Sequence, residues 1–156
     1  MSTKDSDINI RRMMRNDIEV VLDLNKKISE NKNPISYRDL VSIDPGGPLD
    51  FSCVGEYGGK VVGFILARLQ YTGIPLVATC IIESIATDPE YQKQGIGGKM
   101  VNNLLDRCYA EGIPKTRADI HEDDIELINF FQELSFKPSQ IINYDFDVVS
   151  EYLPSR

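Results

Sequence analysis

The stretch Ile85-Ala86-Thr87-Asp88-Pro89-Glu90-Tyr91-Gln92-Lys93-Gln94-Gly95-Ile96-Gly97-Gly98-Lys99 constrains the fold more than any other part of this chain. The apolar run Thr79 to Thr87 reads as a strand, and Asp88-Pro89 ends it. A polar turn follows. Glycines then open a segment in which Ile96, Met100, Leu104, Leu105 and Cys108 share one helical face, ending near Gly112. Glycines at such a junction let the backbone approach a ligand and adopt angles that other residues resist. The first amides of the helix have no intrahelical partner. With the helix dipole they form a site for an anion such as a phosphate or diphosphate, and Lys93 and Lys99 add charge. The alternative is a plain strand–turn–helix whose glycines serve tight packing.

Spacing removes two anion-binding motifs. A phosphate-binding Walker loop ending at Gly98-Lys99 needs glycine where Lys93 stands and a hydroxyl where Met100 stands. A dinucleotide fingerprint counted from Gly95 needs a small residue at Met100 and should follow the first strand of its unit. About 80 residues of other structure come first here, so both readings fail.

Those residues read as a series of short elements. Ile8 to Met13 alternates weakly, as a first strand does. Asn16 or Asp17 starts a helix, with Glu19 in capping-box spacing from Asn16 and Ile18, Val21, Leu22 and Ile28 on one face. Residues 31–50 form a long polar connection holding Pro34, Pro45, Gly46, Gly47 and Pro48, with a short helix expected over Ser36 to Ile43. Phe51 to Glu56 and Lys60 to Leu69 flank Gly58-Gly59 as a hairpin. Thr116, Ala118 and Ile120 alternate as a strand. Asp123 or Asp124 caps a last helix carrying Leu127, Phe130, Phe131 and Leu134. Ile142, Tyr144, Phe146 and Val148 alternate with Asn143, Asp145 and Asp147 as a half-buried strand. The order predicts an α+β or α/β domain: a mixed sheet with helices on both faces. It spans residues 8–149, between a flexible segment at 1–7 and a tail at 150–156.

Composition narrows the function classes. The chain has 156 residues, the size of one ordinary domain. Its 17 Lys and Arg against 24 Asp and Glu give a net charge of −7, a poor match to nucleic acid. That charge suits a cationic partner such as an amine, and it equally serves solubility alone. No apolar run approaches the roughly 20 residues of a membrane span, and Met1 to Asp7 has no signal-peptide core. Cys53, Cys80 and Cys108 are far apart and there is a single His, which argues against a disulfide framework or metal site and for a reducing, cytoplasmic compartment.

Gln92-x-x-Gly95-x-Gly97, after a strand and an Asp-Pro-Glu-Tyr turn, resembles the acetyl-CoA-binding signature Q/R-x-x-G-x-G/A of the GNAT superfamily of N-acetyltransferases. The element order resembles that family over residues 8–149. The resemblance implies a three-layer fold with a mostly antiparallel mixed sheet of about six or seven strands and about four helices. It implies acetyl-CoA as co-substrate, a primary amine as acceptor, no metal, and a monomer or homodimer. Gln92, Lys93, Gln94, Gly95, Ile96, Gly97, Gly98 and Lys99 would bind the cofactor, with the amides from about Gln94 to Lys99 holding the diphosphate of coenzyme A. The strand Ile82 to Thr87, with Ile85, Ala86 and Thr87 among its cofactor-binding residues, would present main-chain groups to the pantetheine arm, as in strand addition. The thioester would lie at a splay between this strand and the one at Arg117 to Ile120. The amine would enter near residues 31–50 and 71–78.

Amine acetylation needs a deprotonated nucleophile, and an alkyl amine with pKa about 10.4 is protonated at neutral pH. Glu83 is the candidate base. It interrupts the apolar run Cys80-Ile81-Ile82-Glu83-Ser84-Ile85, where desolvation is expected, and family members often place a base in this strand. A surface Glu or a structural ion pair is the alternative. Many members also carry a Tyr acid in the last helix, in a pattern like F-Y-x-x-x-G-F. Here Phe131 stands at the Tyr, Ser135 at the Gly, and Asp124 where an Asn often touches the cofactor. Phe131 cannot donate a proton. Tyr144 is a substitute acid, or a half-buried core Tyr. His121 reads as a surface or hydrogen-bonded residue, and Cys80 and Cys108 as core. Cys53 has no visible base beside it. Two rivals follow: an acyl-CoA-binding protein of the same fold without turnover, and a phosphate-binding protein of another fold.

Overall fold

Long-range ion pairs and apolar stripes set the frame of the first half. A computed structural model describes residues 7–29 and 35–152. Most of the expected N-terminal segment, residues 31–34 of the long connection and the end of the tail lie outside the described residues. The chain divides into two compact units, residues 1–121 and 122–156. The first contains the whole sheet. Among the described residues, no helix is long and apolar enough to cross a membrane.

Strand β1 (Ile8–Arg12) leads through a 3-10 turn (Arg15–Asp17) into α1 (Ile18–Ser29). The cap here differs from the expected Asn16–Glu19 box. Asp17 reaches back to accept the Met14 amide at 2.8 Å, and Arg11 donates to both its oxygens at 2.8 Å. Arg11 also pairs with Glu56 at 3.0 Å on the neighbouring strand. Hydrogen bonding from Arg11 holds the buried Asp17 carboxyl below the usual carboxylate range. The expected short helix forms as α2 (Tyr37–Ser42). Ser36 caps it, accepting the Asp39 amide at 3.1 Å, and Asp39 accepts the Ser36 amide in return at 2.9 Å.

The hairpin turns at Gly58-Gly59 between β2 (Cys53–Tyr57) and β3 (Lys60–Thr72), and a second turn leads to β4 (Val77–Thr87). Helix α3 (Ile96–Ala110) then crosses back to β5 (Lys115–Ala118). The sheet order is β1-β2-β3-β4-β5, antiparallel except for the parallel β4–β5 pair. Both faces of the central strands are covered, which is why β3 is a nearly continuous apolar run. Phe64 and Leu66 pack with Val54 against Met13, Ile18, Val21 and Leu40 on the α1–α2 side. Ile96, Met100, Val101, Leu104 and Cys108 form the buried stripe of α3. Gly63 lets α3 approach, since a Cβ there would lie 3.0 Å from Met100 Cε and 3.1 Å from the Ala86 carbonyl oxygen.

In the second unit, α4 (Ile125–Glu133) and α5 (Val148–Tyr152) are the helices. The expected strand Ile142 to Val148 does not form, and among the described residues the sheet has five strands rather than six or seven. Alternation offers one dry face, but a strand also needs a neighbouring backbone for its amides and carbonyls. Residues 141–147 pair with no strand and lie open to water, so solvent meets those groups instead.

Candidate active site

Strand β4 changes character at Glu83. Leu66 pairs with Ser84 and Ala67 with Ile82, so Glu83 is an extra residue with no partner on β3. Such a bulge bends a strand and re-aims a side chain. At the same point the other neighbour departs. Parallel pairing with β5 runs from Thr79 opposite Lys115 to Ile82 opposite Ala118 and stops. Ser84 to Thr87 continue to pair with β3, while among the described residues no strand lines their other edge. Strand β5 itself ends at Ala118, short of the expected Ile120, and the main-chain groups of Ile85, Ala86 and Thr87 lie beyond the end of the β4–β5 ladder.

The turn that follows is braced from three sides. Asp88 is only 2% exposed. Its Oδ1 accepts the Glu90 amide at 3.0 Å, and its carboxylate pairs with Lys27 of α1 at 3.0 Å. Burial pushes the Asp88 carboxyl up, but the Glu90 amide and the Lys27 ammonium outweigh it and hold the group below its usual range. The Asp88 amide donates to the Val62 carbonyl at 2.7 Å. Gln92 Nε2 donates to the Thr87 carbonyl at 3.2 Å, closing the turn on itself. Tyr91 stacks on Tyr57 with Lys60 over its ring.

The chain then takes positive φ at Lys93 (64°) and Gly95 (81°) and enters α3. Gly95 is the N-cap and supplies no side-chain acceptor, and the first turn holds no acidic residue. The first intrahelical bond runs from the Lys99 amide to the Gly95 carbonyl at 3.0 Å. The amides of Ile96, Gly97 and Gly98 thus precede any helical carbonyl that could receive them. An uncapped, acid-free first turn is the environment an anion needs.

Glu83 lies on the surface of the sheet and forms an ion pair with Arg68 on β3. Its side chain keeps 30% of its accessible surface, so the carboxylate is partly covered rather than sealed within the apolar run. Arg68 also lines a cavity of about 480 Å³, with Ser42, Asp44, Pro48, Leu49 and Gln70. The cavity joins the long connection at residues 42–49 to β3, on the side where the acceptor was expected. Neither Lys27 nor Arg68 is legible as a site residue in the sequence, since each meets its partner only through folding. Burial pushes the Cys53 thiol up to about 12, consistent with its having no base beside it. Cys80 and Cys108 are buried and His121 is exposed, as expected.

Four further residues singled out in the sequence lie in the second unit. Asp124 caps α4, its Oδ1 accepting the Leu127 amide at 3.1 Å. Phe131 is buried, packed edge-on between Phe130 and Phe136 at 5.1 and 5.0 Å. Ser135 takes φ 69°, the left-handed conformation that glycine adopts more easily, and the Phe136 amide returns to the Phe131 carbonyl at 3.0 Å. Tyr144 is 93% exposed on the segment that forms no strand. The half-buried core position does not hold, and the strand that was to carry Tyr144 as a substitute acid is missing.

Comparison with known proteins follows the same outline. The model of the acetyltransferase (GNAT) family matches residues 18–136. The [ribosomal protein bS18]-alanine N-acetyltransferase of Escherichia coli (strain K12) is 23% identical over 83 residues, 53% of this chain and 52% of that protein. The chain thus matches about half the length of these curated relatives. An aminoglycoside acetyltransferase from an uncultured soil metagenomic sample superposes with TM-score 0.75 and 18% identity, covering 92% of this chain and 97% of the other. The structure of AAC(6')-Iy in complex with the bisubstrate analog CoA-S-monomethyl-acetylneamine gives TM-score 0.75 at 15% identity, over 90% and 98% of the two chains.

Proposed function

The chain belongs to the acetyltransferase (GNAT) family, and from that premise we propose that it transfers an acetyl group from acetyl-CoA directly to a primary amine. The acceptor is the amine of a small molecule, a protein N-terminus or a lysine. The observation that carries this reading is the coincidence on β4 of an open edge, an outward carboxylate and a glycine-capped helix start. The free edge from Ser84 to Thr87 leads straight into the loop ending at Gly95.

Acetyl-CoA, when bound, supplies a thioester: the amine nitrogen forms a bond to its carbonyl carbon, the carbon–sulfur bond breaks, and coenzyme A leaves as a thiolate. The chain's own groups do the rest. The amides at the start of α3 hold the diphosphate, and Ile85, Ala86 and Thr87 offer backbone groups to the pantetheine arm. Glu83 takes the proton that the ammonium must lose, directly or through water. A thiolate with pKa about 8.5 leaves without a dedicated acid, so the absence of a Tyr at Phe131 is tolerable. Positioning supplies up to about 7–11 kcal/mol of the barrier, against a factor of about 100–10,000 for one acid or base. The acceptor enters through the cavity beside Arg68.

Acetyl-CoA should raise the melting temperature, by about 2.7 kcal/mol of added stability at 100 times its dissociation constant, while ATP and NAD should not. Thiol release across an amine panel then separates an enzyme from an acyl-CoA-binding protein, the second reading that Phe131 motivates. Glu83→Gln should lower turnover by about 100-fold near neutral pH. An unchanged rate and pH profile would remove Glu83 as the base.

A further inference from the structure

Ile81 sits between two arginines. Across the sheet, Arg68 of β3 pairs with Ile81, and Ile81 pairs with Arg117 of β5. Residues paired across neighbouring strands project from the same face, so Arg68, Ile81 and Arg117 form a row one side-chain repeat before Glu83. Strands lie about 4.8 Å apart, which puts the two arginine Cα atoms about 10 Å from one another. Both arginine side chains therefore rise from one face, on either side of Ile81.

Both arginines hold a buried nitrogen with no hydrogen-bond partner. Arg68 forms an ion pair with Glu83, yet its Nε makes no hydrogen bond. Arg117 Nη2 is buried and has no hydrogen-bond partner. Buried polar atoms in folded proteins are nearly always satisfied, and an exception calls for a cause. A guanidinium matches a carboxylate through paired, charge-assisted hydrogen bonds. A ligand carboxylate over Ile81 would supply what Arg117 lacks and add a second anion for Arg68.

We propose that Arg117, with Arg68 across Ile81, binds a carboxylate of the acceptor, so the acceptor is a small molecule carrying both an amine and a carboxylate. This rests on the transferase reading above and names the substrate class of the same site. The charge pattern fits it. Glu83 faces the ammonium end, and the two guanidinium groups face the carboxylate end. A polycation would meet those same two guanidinium groups and be repelled by them. Among the described residues, Asp44 is the one carboxylate lining the cavity, and it tolerates a second ammonium on the acceptor.

The test uses matched amines that differ by one carboxylate: lysine and cadaverine, 2,4-diaminobutyrate and 1,3-diaminopropane, γ-aminobutyrate and propylamine. Release of coenzyme A thiol from acetyl-CoA gives kcat/KM for each. A carboxylated member should exceed its partner by about tenfold or more. Arg117→Met should bring that ratio to about one, and Arg117→Lys should restore part of it. Equal or better turnover of the carboxylate-free members overturns the proposal, whether or not the variants fold. So does a ratio that survives in Arg117→Met whose melting curve still responds to acetyl-CoA. A peptide with Glu as its second residue that outperforms every small amine, and its Gln counterpart, reassigns the site to peptides and overturns the small-molecule class. If acetyl-CoA binds but no amine releases thiol, transfer itself fails. If acetyl-CoA does not bind, the coenzyme assignment fails first, and the carboxylate proposal falls with it.

Discussion

Asp88→Ala tests whether the loop between β4 and α3 is held ready for its ligand. The substitution removes three interactions: the cap on the Glu90 amide at 3.0 Å and the two Lys27 contacts at 3.0 and 3.2 Å. Losing such a cap costs about 1 kcal/mol, and loss of the ion pair adds to it. In a domain of this size that lowers Tm by about 2–4 °C per kcal/mol. Asp88→Asn keeps an oxygen for the Glu90 amide and loses only the charge, so its loss should be smaller. The pH dependence has a fixed sign. The folded Asp88 carboxyl lies below its unfolded value, so its contribution is full above about pH 3.9 and fades as pH falls through the lower, folded value. The gap between wild type and Asp88→Asn should therefore close in strong acid. Urea denaturation from pH 2 to 7 measures this, and titration with acetyl-CoA measures the consequence. Once the brace is gone, binding must order the loop again, and affinity should fall about tenfold in the Ala variant. Lost stability with unchanged affinity would refute the reasoning, because the braced turn would then have nothing to do with the coenzyme.

Three other substitutions separate stability from binding. Gly95→Ala meets no neighbouring atom within 4 Å but must hold φ 81°, so urea denaturation should show a loss of about 1–2 kcal/mol from conformation alone. Gly97→Asp puts an acid in the first turn of α3, where the helix dipole favours it, so Tm should hold or rise while acetyl-CoA affinity drops at least tenfold in a calorimetric titration. Gly63→Ala presses a Cβ to 3.0 Å from Met100 Cε and 3.1 Å from the Ala86 carbonyl, and should cost about 1–3 kcal/mol by the same urea assay.

What the sequence makes legible is whatever one segment decides for itself. Ile96, Met100, Leu104 and Cys108 repeat at helical spacing, and they form the buried stripe of α3. Gly58-Gly59 turns the hairpin, and Gly95 caps a helix with positive φ. Features that need two segments are hidden. Glu83 looks like a carboxylate trapped in an apolar run, yet the register makes it a bulge with its side chain outward and Arg68 beside it. Lys27 and Asp88 are far apart in sequence and share no local pattern. The error at Ile142 to Val148 has the same origin in reverse. A clean alternation describes the two faces of a strand, but it says nothing about whether another backbone is there to pair with it.

The break at Glu83 is where a strand so apolar meets the proposed polar reaction. Before it, β4 is paired on both edges, and Cys80 and Ile82 are sealed into the core. Had the ladder with β5 continued to Thr87, those backbone groups would be spent on the protein itself and unavailable to a ligand. Had β3 and β4 kept an unbroken register, a single-residue shift would have turned Ser84 to Thr87 onto opposite faces. The bulge absorbs the extra residue, so the strand beyond it keeps its pairing with β3 while Glu83 turns away from the core. An open edge and an outward carboxylate therefore come from one local irregularity. The residues flanking it, Arg68 and Arg117, are positioned by the regular pairing that precedes it. In the proposed site, acceptor preference would change through the arginines without disturbing the edge or the glycine loop proposed to hold coenzyme A.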